Sequence, residues 1–326
     1  MMKLRHLFNN PSLAEMLVKN WDYDESSLDL FQNFRISANA IYPFRRQGDL
    51  CFLRCSPTCE KCRTNLEAEL AFIRHLLARG YPALQPIPAK SGADFIEKST
   101  PWGEYHACVF QHVTGVQISE TSLGDEIVFA FGAALGWLHQ LSSGYSPRTR
   151  RWDYLDVFNW IEKTLKELGL TAAPLEELQI LREYFAALPI SAGTYGLIHY
   201  DFETDNVFYN ADNQTCSVID FDDAMYHWYV MDIVQSLESL QDECGGADFP
   251  RRKNIFLEGY ASRHPLDGSL LAAGPVFRRF ANLYSYTRIA RSIHEQWENE
   301  PDWMAQLRAR LAESMAEESA GFGAVV

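Results

Sequence analysis

The sequence lacks both a long hydrophobic run and an excess of positive charge. Its longest uncharged apolar stretch, residues 127–138, is too short to span a bilayer and is typical of a buried helix. Lysine and arginine total 29 against 43 aspartates and glutamates, which gives a formal net charge of -14 at pH 7. An acidic chain is a poor partner for nucleic-acid phosphates. We therefore expect neither a membrane nor a nucleic acid as a partner.

The N-terminus also lacks the apolar core of a secretion signal, because Met1 to His6 is followed by polar and acidic residues. We therefore expect the protein in the cytoplasm. Its seven cysteines, an odd number, are then expected to be reduced thiols. The 326 residues, of which 47% are hydrophobic, are enough to fill two lobes.

Three cysteines lie close together, at Cys55, Cys59 and Cys62. Their spacing is that of radical SAM iron–sulfur sites. However, no repeated βα units follow them, and no fourth ligand is evident nearby in the sequence. We therefore expect a loop that holds no metal.

Two clusters of polar residues carry the most information, one at residues 199–206 and the other at residues 219–222. Between them, residues 207–209 and 216–219 are short β-rich runs that flank a turn-forming Asn-Ala-Asp-Asn segment. This pattern predicts a β-hairpin. An antiparallel hairpin brings the residues before its first strand close to those after its second strand.

The hairpin therefore places Asn206 beside Asp220, with Asp201 on the loop that enters the first strand. An amide oxygen and a carboxylate form a site that suits Mg²⁺, and a nearby carboxylate can accept the proton of an attacking hydroxyl. The order His-x-Asp-x-x-x-x-Asn, followed by a further Asp, is also that of protein-kinase catalytic loops. The segment thus predicts phosphoryl transfer.

Upstream of these clusters, the sequence pattern predicts an ion pair between an arginine on a strand and a glutamate on the next helix. Residues 50–54 alternate as a strand, and Arg54 on a buried face would need an anionic partner. Residues 64–67 resemble a capping box that opens a helix with the apolar stripe Leu66, Leu70, Ile73 and Leu77. Glu69 lies at the border of that stripe and can face Arg54.

A nucleotide site also needs a lid and a hinge. Residues 34–42 read as strand, turn and strand but contain no glycine, so backbone amides, Ser37 and Asn39 are expected to hold the phosphates. Residues 105–115 read as a strand that runs into a turn. The main-chain groups of Gln111 to Val113 are expected to bind the adenine edge.

Residues 197–233 resemble the aminoglycoside phosphotransferase and choline kinase family, small-molecule kinases with the protein-kinase fold. The shared pattern is His-x-Asp-x-x-x-x-Asn, then Ile-Asp-Phe-x-Asp, then an Asp that opens a helix. The Asp-Phe-Asp-Asp-Ala segment is most similar to the bacterial homoserine-kinase and stress-kinase-like branch. The resemblance implies an α+β, two-lobed protein-kinase-like fold, with a small β-rich N-lobe (1–113) and a larger, mainly helical C-lobe (114–326).

The resemblance also implies a role for individual residues and ATP with Mg²⁺ as cofactors. Asp201 matches the catalytic base, and Asn206 and Asp220 match the metal ligands. Asp232 matches a buried carboxylate that braces the catalytic loop. Arg54 and Glu69 match the pair that positions the α- and β-phosphates, in which a lysine is usual where this chain has arginine.

The chain departs from the family pattern at Tyr200, where glycine is usual, and at Glu203, where histidine is common. Both lie beside the site of the phosphate acceptor. Together with Asp222 and Trp228 they would supply carboxylates and aromatic surface, which favour a small-molecule acceptor with both a hydroxyl and an amine. Two other interpretations stay open, a Ser/Thr protein kinase and a nucleotide-binding protein without catalysis.

Overall fold

The computed structural model of the protein describes residues 1–324. After a first helix, α1 (Pro11–Val18), the chain forms a six-stranded antiparallel sheet. Its strands are β1 (Arg35–Ile36), β2 (Ala40–Arg46), β3 (Asp49–Pro57), β4 (Gln85–Ile87), β5 (Phe95–Thr100) and β6 (Gly103–Gln111). They are ordered β1-β2-β3-β6-β4, and β5 also pairs with β6.

Side chains along β3 alternate between the two faces of the sheet. Cys51, Leu53 and Cys55 are buried in the apolar cluster on one face of the sheet. Phe52 and Arg54 point to the other face, where they line a cavity. The predicted strand is therefore confirmed, and it continues to Pro57.

Helix α2 (Arg63–Leu77) follows β3 and buries Leu66, Leu70 and Ile73 of the predicted stripe together with Glu69, whereas Leu77 is only partly buried. The predicted capping box at Thr64 is wrong. The helix begins at Arg63, two residues before the start that a cap at Thr64 predicts, so Thr64 lies inside its first turn. Cys62 occupies the N-cap, and its side chain makes no capping hydrogen bond.

The strands that follow build two smaller sheets. One holds β7 (Val116–Gln117), β9 (Val207–Asn210) and β10 (Thr215–Val218), and the other holds β8 (Tyr195–Ile198) and β11 (Met225–Trp228). Strands β9 and β10 pair antiparallel with Val218 opposite Val207. The predicted hairpin is confirmed, and it brings the chain around Asn206 and Asp220 to one end of a strand pair.

Helices make up most of the remaining chain. They are α3 (Asp125–Ser142), α4 (Tyr154–Glu167), α5 (Ala173–Ala187), α6 (Val230–Ala261), α7 (Gly268–Ala272), α8 (Gly274–Ile293) and α9 (Asp302–Ser319). Helix α6 is kinked at Gly245, where φ is 71°. The structure is therefore an α+β fold with its larger sheet near the N-terminus and its helices mainly after residue 124. Within residues 1–324, none of the helices has the length and apolar composition needed to cross a membrane.

Candidate active site

A cleft of about 320 Å³ lies between the six-stranded sheet and the hairpin β9–β10. One part of its wall comes from the sheet, through Phe52, Arg54 and Phe110. The opposite part comes from the hairpin region, through Asn206 and Asp220. The cleft thus brings together polar residues that are far apart in sequence.

Asp201 and Asn206 are joined directly. The side-chain nitrogen of Asn206 donates to the Asp201 carboxylate (2.9 Å) and to the Asp201 backbone carbonyl (3.0 Å). Because the nitrogen makes both of these bonds, the side-chain oxygen of Asn206 remains available to another ligand. The chain after the hairpin is also held close, since the Ile219 amide donates to the Asn206 carbonyl at 3.0 Å.

Asp220 follows the hairpin in the left-handed backbone conformation, with φ at 61°. Its side chain is exposed at the mouth of the cleft. Desolvation by the walls of the cleft, and then the neighbouring Asp222 carboxylate, raise the pKa of Asp220 to about 6. A carboxylate that is accessible and repelled by its neighbours is well suited to bind a cation.

Asp201 lies in a strongly acidic environment. Burial, and then the carboxylates of Glu203, Asp223 and Asp220, raise the pKa of Asp201 well above its usual range, whereas Arg288 acts in the opposite direction. A raised pKa makes a carboxylate a better proton acceptor once it is ionised.

The loop that carries Asp201 is fixed by the buried carboxylate of Asp232. That carboxylate accepts hydrogen bonds from the amides of His199 (2.8 Å) and Tyr200 (2.7 Å). The Nε2 atom of His139, on α3, lies 3.0 Å from the same carboxylate. His199 adds a second link, because its Nε2 lies 2.8 Å from the Ile219 carbonyl. This network connects the catalytic-loop segment to the segment that carries Asp220.

The substitution of tyrosine for the usual glycine occurs at a backbone position that favours glycine. Tyr200 has a φ of 67°, a conformation that side chains with a Cβ rarely adopt. Its ring is buried and contacts Tyr284 in an edge-to-face pair, with centroids 5.5 Å apart. Packing against α8, together with the Asp232 hydrogen bond, therefore holds the strained residue in place.

Arg54 and Glu69 form the pair that their sequence positions predict. Both are buried, and the guanidinium donates two parallel hydrogen bonds to the carboxylate, at 2.7 and 2.8 Å. Such a bidentate pair fixes both the position and the orientation of the arginine. One face of the guanidinium also lies 5.0 Å from the ring of Phe110. Arg54 is thus held rigidly in the wall of the cleft.

The turn between β1 and β2, predicted to hold phosphates, is partly occupied by protein contacts. The side-chain nitrogen of Asn39 donates to the Asp222 carboxylate at 3.1 Å. The amide of Ser37 donates to the Asn39 carbonyl, and the carbonyl of Ser37 accepts from Met2. The lid is therefore tied to Asp222 across the cleft, an arrangement that the sequence did not indicate.

The expected hinge, Gln111 to Val113, lines the same cleft. Strand β6 ends at Gln111, and the amide of His112 donates to the carbonyl of Leu50 at 3.0 Å. That amide is therefore already used within the protein. Gln111 lies opposite Cys51 of β3 and Gln85 of β4, whereas Val113 lies beyond the end of the strand.

Residues 48–266 match the Phosphotransferase enzyme family. The chain belongs to this family. The match includes the predicted catalytic loop, the metal-binding segment and the Arg54–Glu69 pair. The predicted activity class, an ATP-dependent kinase that phosphorylates a small-molecule hydroxyl, is confirmed.

Two relatives illustrate the range within the family. Amicoumacin kinase of Bacillus subtilis (strain 168) is 24% identical over 264 residues, which cover 76% of this chain and 76% of the relative. Homoserine kinase of Caulobacter vibrioides (strain NA1000 / CB15N) is 28% identical over 231 residues, which cover 68% of this chain and 69% of the relative.

Solved structures support the same fold. Amicoumacin kinase hAmiN, in complex with AMP-PNP, Ca²⁺ and Ami, matches with a TM-score of 0.75 at 20% identity, over 95% of this chain and 94% of that one. The microcompartment-associated aminopropanol kinase matches with a TM-score of 0.71 at 19% identity, over 96% and 97% of the two chains. The predicted two-lobed, kinase-like α+β fold is confirmed.

Among the acceptor residues predicted for this phosphotransferase, Trp228 is wrong. Its side chain is fully buried between helices, and its indole nitrogen donates to the Pro189 carbonyl at 2.9 Å. Trp228 is the last residue of β11, and its large aromatic ring is buried in the core instead of lining a pocket. Glu203, by contrast, is only partly buried, and burial and then the carboxylates of Asp205, Glu238 and Asp242 raise its pKa.

Three basic residues near the active site escaped the sequence analysis. Lys61 forms an ion pair with Asp222, and Arg288 donates to Asp223 at 2.7 Å. Although burial acts in the opposite direction, the Lys61 ammonium lowers the pKa of Asp222. Arg151 donates to the backbone carbonyls of Asp222 and Ala224, both at 2.5 Å.

The sequence indicates that cations are needed here, although it does not identify them. Two adjacent aspartates in a tight turn need counter-charges, and Asp222-Asp223 is such a pair. The sequence does not indicate which of its basic residues approach them. In the structure a loop lysine pairs with Asp222, and an arginine of α8 pairs with Asp223.

The three clustered cysteines are separated by the fold. Cys55 is buried in the apolar face of β3, whereas Cys59 and Cys62 are exposed in the turn between β3 and α2. The Cys62 thiol lies 2.9 Å from the Thr64 hydroxyl, while the Cys59 thiol lies 4.0 Å from Nε2 of His6. The spacing that resembles an iron–sulfur motif thus does not bring the three thiols to one point.

Proposed function

We propose that this phosphotransferase uses Mg²⁺ to transfer the γ-phosphoryl group of ATP to the hydroxyl of a small molecule that also carries an amine. One observation carries the proposal: Asp201, Asn206 and Asp220 converge at the end of a cleft whose opposite wall holds the Arg54–Glu69 pair. A proton acceptor, hard oxygen ligands and a fixed cation are the groups that phosphoryl transfer requires.

The metal would be held by Asn206 and Asp220, and the residues fit such an ion. The side-chain nitrogen of Asn206 makes both of its hydrogen bonds to Asp201, which leaves the amide oxygen for a ligand. The carboxylate of Asp220 lines the cleft, and part of the rise in its pKa comes from the negative charge of Asp222, which a bound cation would offset. When bound, Mg²⁺ would neutralise the charge of the donor phosphates.

The protein would supply orientation and proton transfer. Arg54, fixed by Glu69, would hold the donor phosphates, and main-chain groups of Gln111 and Val113 would bind the adenine edge. Asp201 would orient the acceptor hydroxyl and take its proton on a carboxylate oxygen as the phosphoryl group is transferred. The lobes would meet near residue 113, where the six-stranded sheet has ended and the chain enters the sheet of β7, β9 and β10.

The charge around Glu203 supports an amine on the acceptor. Its neighbours Asp205, Glu238 and Asp242 are also acidic, and each raises its pKa. Arg278 pairs with Glu238, and Arg35 lies 3.9 Å from Asp205, so two cations face four carboxylates. By contrast, Asp222 and Asp223 are each paired with a basic side chain. Glu203 is therefore the carboxylate that we assign to the acceptor amine.

Two substitutions separate the roles of base and metal ligand. Asp201→Asn should lower turnover by roughly 10²- to 10⁴-fold and leave nucleotide affinity near that of the wild type, because the amide still fits beside Asn206. Asp220→Ala should also weaken Mg²⁺-dependent nucleotide binding. Asp212→Asn, in the exposed turn of the same hairpin, is the control.

Turnover should be measured with amino alcohols and amino acids as acceptors, and nucleotide affinity by titration of a fluorescent ATP analogue. Equal nucleotide affinity in wild type and Asp220→Ala at saturating Mg²⁺ would refute the metal assignment. Binding of ATP with neither transfer to an acceptor nor slow Mg²⁺-dependent hydrolysis would favour the interpretation as a nucleotide-binding protein without catalysis.

A further inference from the structure

A cluster of metal-binding side chains lies outside the catalytic cleft. His6, Cys59 and Glu60 each offer one donor atom, and all three atoms lie within 4.8 Å of one another. His6 belongs to the N-terminal segment, whereas Cys59 and Glu60 belong to the turn between β3 and α2. The three residues therefore meet only because the fold brings these two segments together.

We propose that His6, Cys59 and Glu60 bind one Zn²⁺ ion, with the fourth position open to water. Imidazole nitrogen, thiolate sulfur and carboxylate oxygen are all zinc ligands, whereas Mg²⁺ and Ca²⁺ prefer oxygen alone. The set differs from the three-cysteine motif, since Cys55 is buried in the sheet core and Cys62 lies outside the cluster.

The distances are close to those of a bound ion. Tetrahedral zinc with ordinary bond lengths places its nitrogen, oxygen and sulfur ligands about 3.3 to 3.6 Å apart. In the structure Nε2 of His6 lies 3.6 Å from Oε1 of Glu60 and 4.0 Å from Sγ of Cys59. The donor atoms of Cys59 and Glu60 also lie within 4.8 Å of each other, so closing the site requires movements of up to about 1 Å.

The donors are held by ordered surroundings. Backbone hydrogen bonds from Glu60 to Pro57 (2.9 Å) and from Thr58 to Glu104 (2.9 Å) fix the turn against strand β6. The second oxygen of Glu60 forms an ion pair with Arg291, on α8, at 2.9 Å, which orients the carboxylate as an outer-shell partner would. Glu60 itself has only 3% of its side chain exposed.

The protonation of the cluster also suits a metal. Burial lowers the pKa of His6, so its imidazole is neutral at physiological pH. Arg5 donates to Nε2 of His6 at 3.2 Å, so this nitrogen is the acceptor of the ring and carries the lone pair that a metal would use. Arg5 must withdraw when a metal binds, and its side chain is 45% exposed and so free to do so.

The positive charge near the cluster opposes the binding of a cation, and the loss of a proton from the ligands offsets part of this effect. Arg5, Arg291 and Lys3 all lie nearby, in ion pairs with Glu60 or Glu295. Zn²⁺ binding releases the thiol proton of Cys59, so the net charge of the site rises by only one. The site would also restrain Lys61, the next residue after Glu60, which forms an ion pair with Asp222.

The test uses the full chain, reduced and without a polyhistidine tag, in excess Mg²⁺ so that hard oxygen sites are filled. Co²⁺ is titrated as a spectroscopic probe and then displaced by Zn²⁺. We expect one Co²⁺ per chain with a thiolate-to-cobalt charge-transfer band. In Cys59→Ser the band should disappear, and Zn²⁺ affinity should fall at least about 100-fold, since even outer-shell changes cost 10- to 100-fold.

Two further variants complete the test. His6→Gln should keep the thiolate band but lower Zn²⁺ affinity, while Cys62→Ser, which removes the other exposed thiol of the same turn, should match the wild type. The absence of a thiolate band in the wild type would overturn the proposal. Loss of the band in Cys62→Ser but not in Cys59→Ser would also overturn it, because the metal would then be bound elsewhere.

Discussion

The carboxylate of Asp232 allows a quantitative prediction for the substitution Asp232→Asn, which preserves size and shape. The carboxylate is fully buried and accepts from the amides of His199 and Tyr200 and from His139. An asparagine has one side-chain oxygen and one NH₂ group. Whichever way the amide is turned, at least one backbone N–H of the catalytic loop faces the NH₂ group and loses its acceptor.

The energetic cost follows from these contacts. One buried N–H left without an acceptor costs about 1 to 3 kcal/mol, and each remaining bond weakens by about 1 kcal/mol when its acceptor loses its charge. We therefore expect Asp232→Asn to destabilise the protein by about 3 to 5 kcal/mol. Turnover should also fall by about 10- to 100-fold, because Tyr200 loses part of the support for its strained backbone and Asp201 shifts.

Urea unfolding followed by tryptophan fluorescence gives the stability, and hydrogen exchange gives the local effect. The amides of His199 and Tyr200 should exchange faster in Asp232→Asn. Asp242→Asn, an exposed carboxylate on the same helix, should behave as the wild type in both assays. An unchanged urea midpoint together with unchanged exchange at these two amides would show that the brace contributes little, and the argument from charged hydrogen bonds would be wrong.

Three further predictions test other parts of the site. Because the pKa of Asp220 is raised from 3.8 to about 6, its ionised carboxylate destabilises the fold at pH 7. Asp220→Asn should therefore raise the midpoint of thermal unfolding at pH 7 without Mg²⁺. The gain should be much smaller at pH 3.5, where the wild-type group is protonated in the folded state and mostly protonated in the unfolded state. A lower midpoint at pH 7 would contradict this sign. Arg54→Lys keeps the charge but loses the bidentate pair with Glu69, so ATP affinity in a fluorescence titration should fall about tenfold; wild-type affinity would show that the planar geometry is unimportant. Glu203→Gln should raise the KM for an amine-bearing acceptor about fivefold with little change for ATP, and an equal KM for the acceptor would remove Glu203 from its recognition.

The fold class and the centre of the site could be predicted because their signals are local. Turn-forming residues between two β-rich runs fix a hairpin, and the hairpin register alone brings Asn206 near Asp220. Arg54 and Glu69 were predictable for a related reason. A charged residue at the cleft face of a strand requires a partner, and the next helix supplies one within 15 residues.

Contacts between distant segments were decided by the tertiary structure. Lys61 and Asp222 are 161 residues apart, and only the packing of the β3–α2 turn against the helical lobe makes them partners. Packing of distant segments also brings His6 close to Cys59 and Glu60. The burial of Trp228 was likewise a matter of which face of β11 the helices covered. Sequence periodicity and turn chemistry determined the elements and the catalytic spacing, whereas long-range charge pairing and burial depend on how those elements pack.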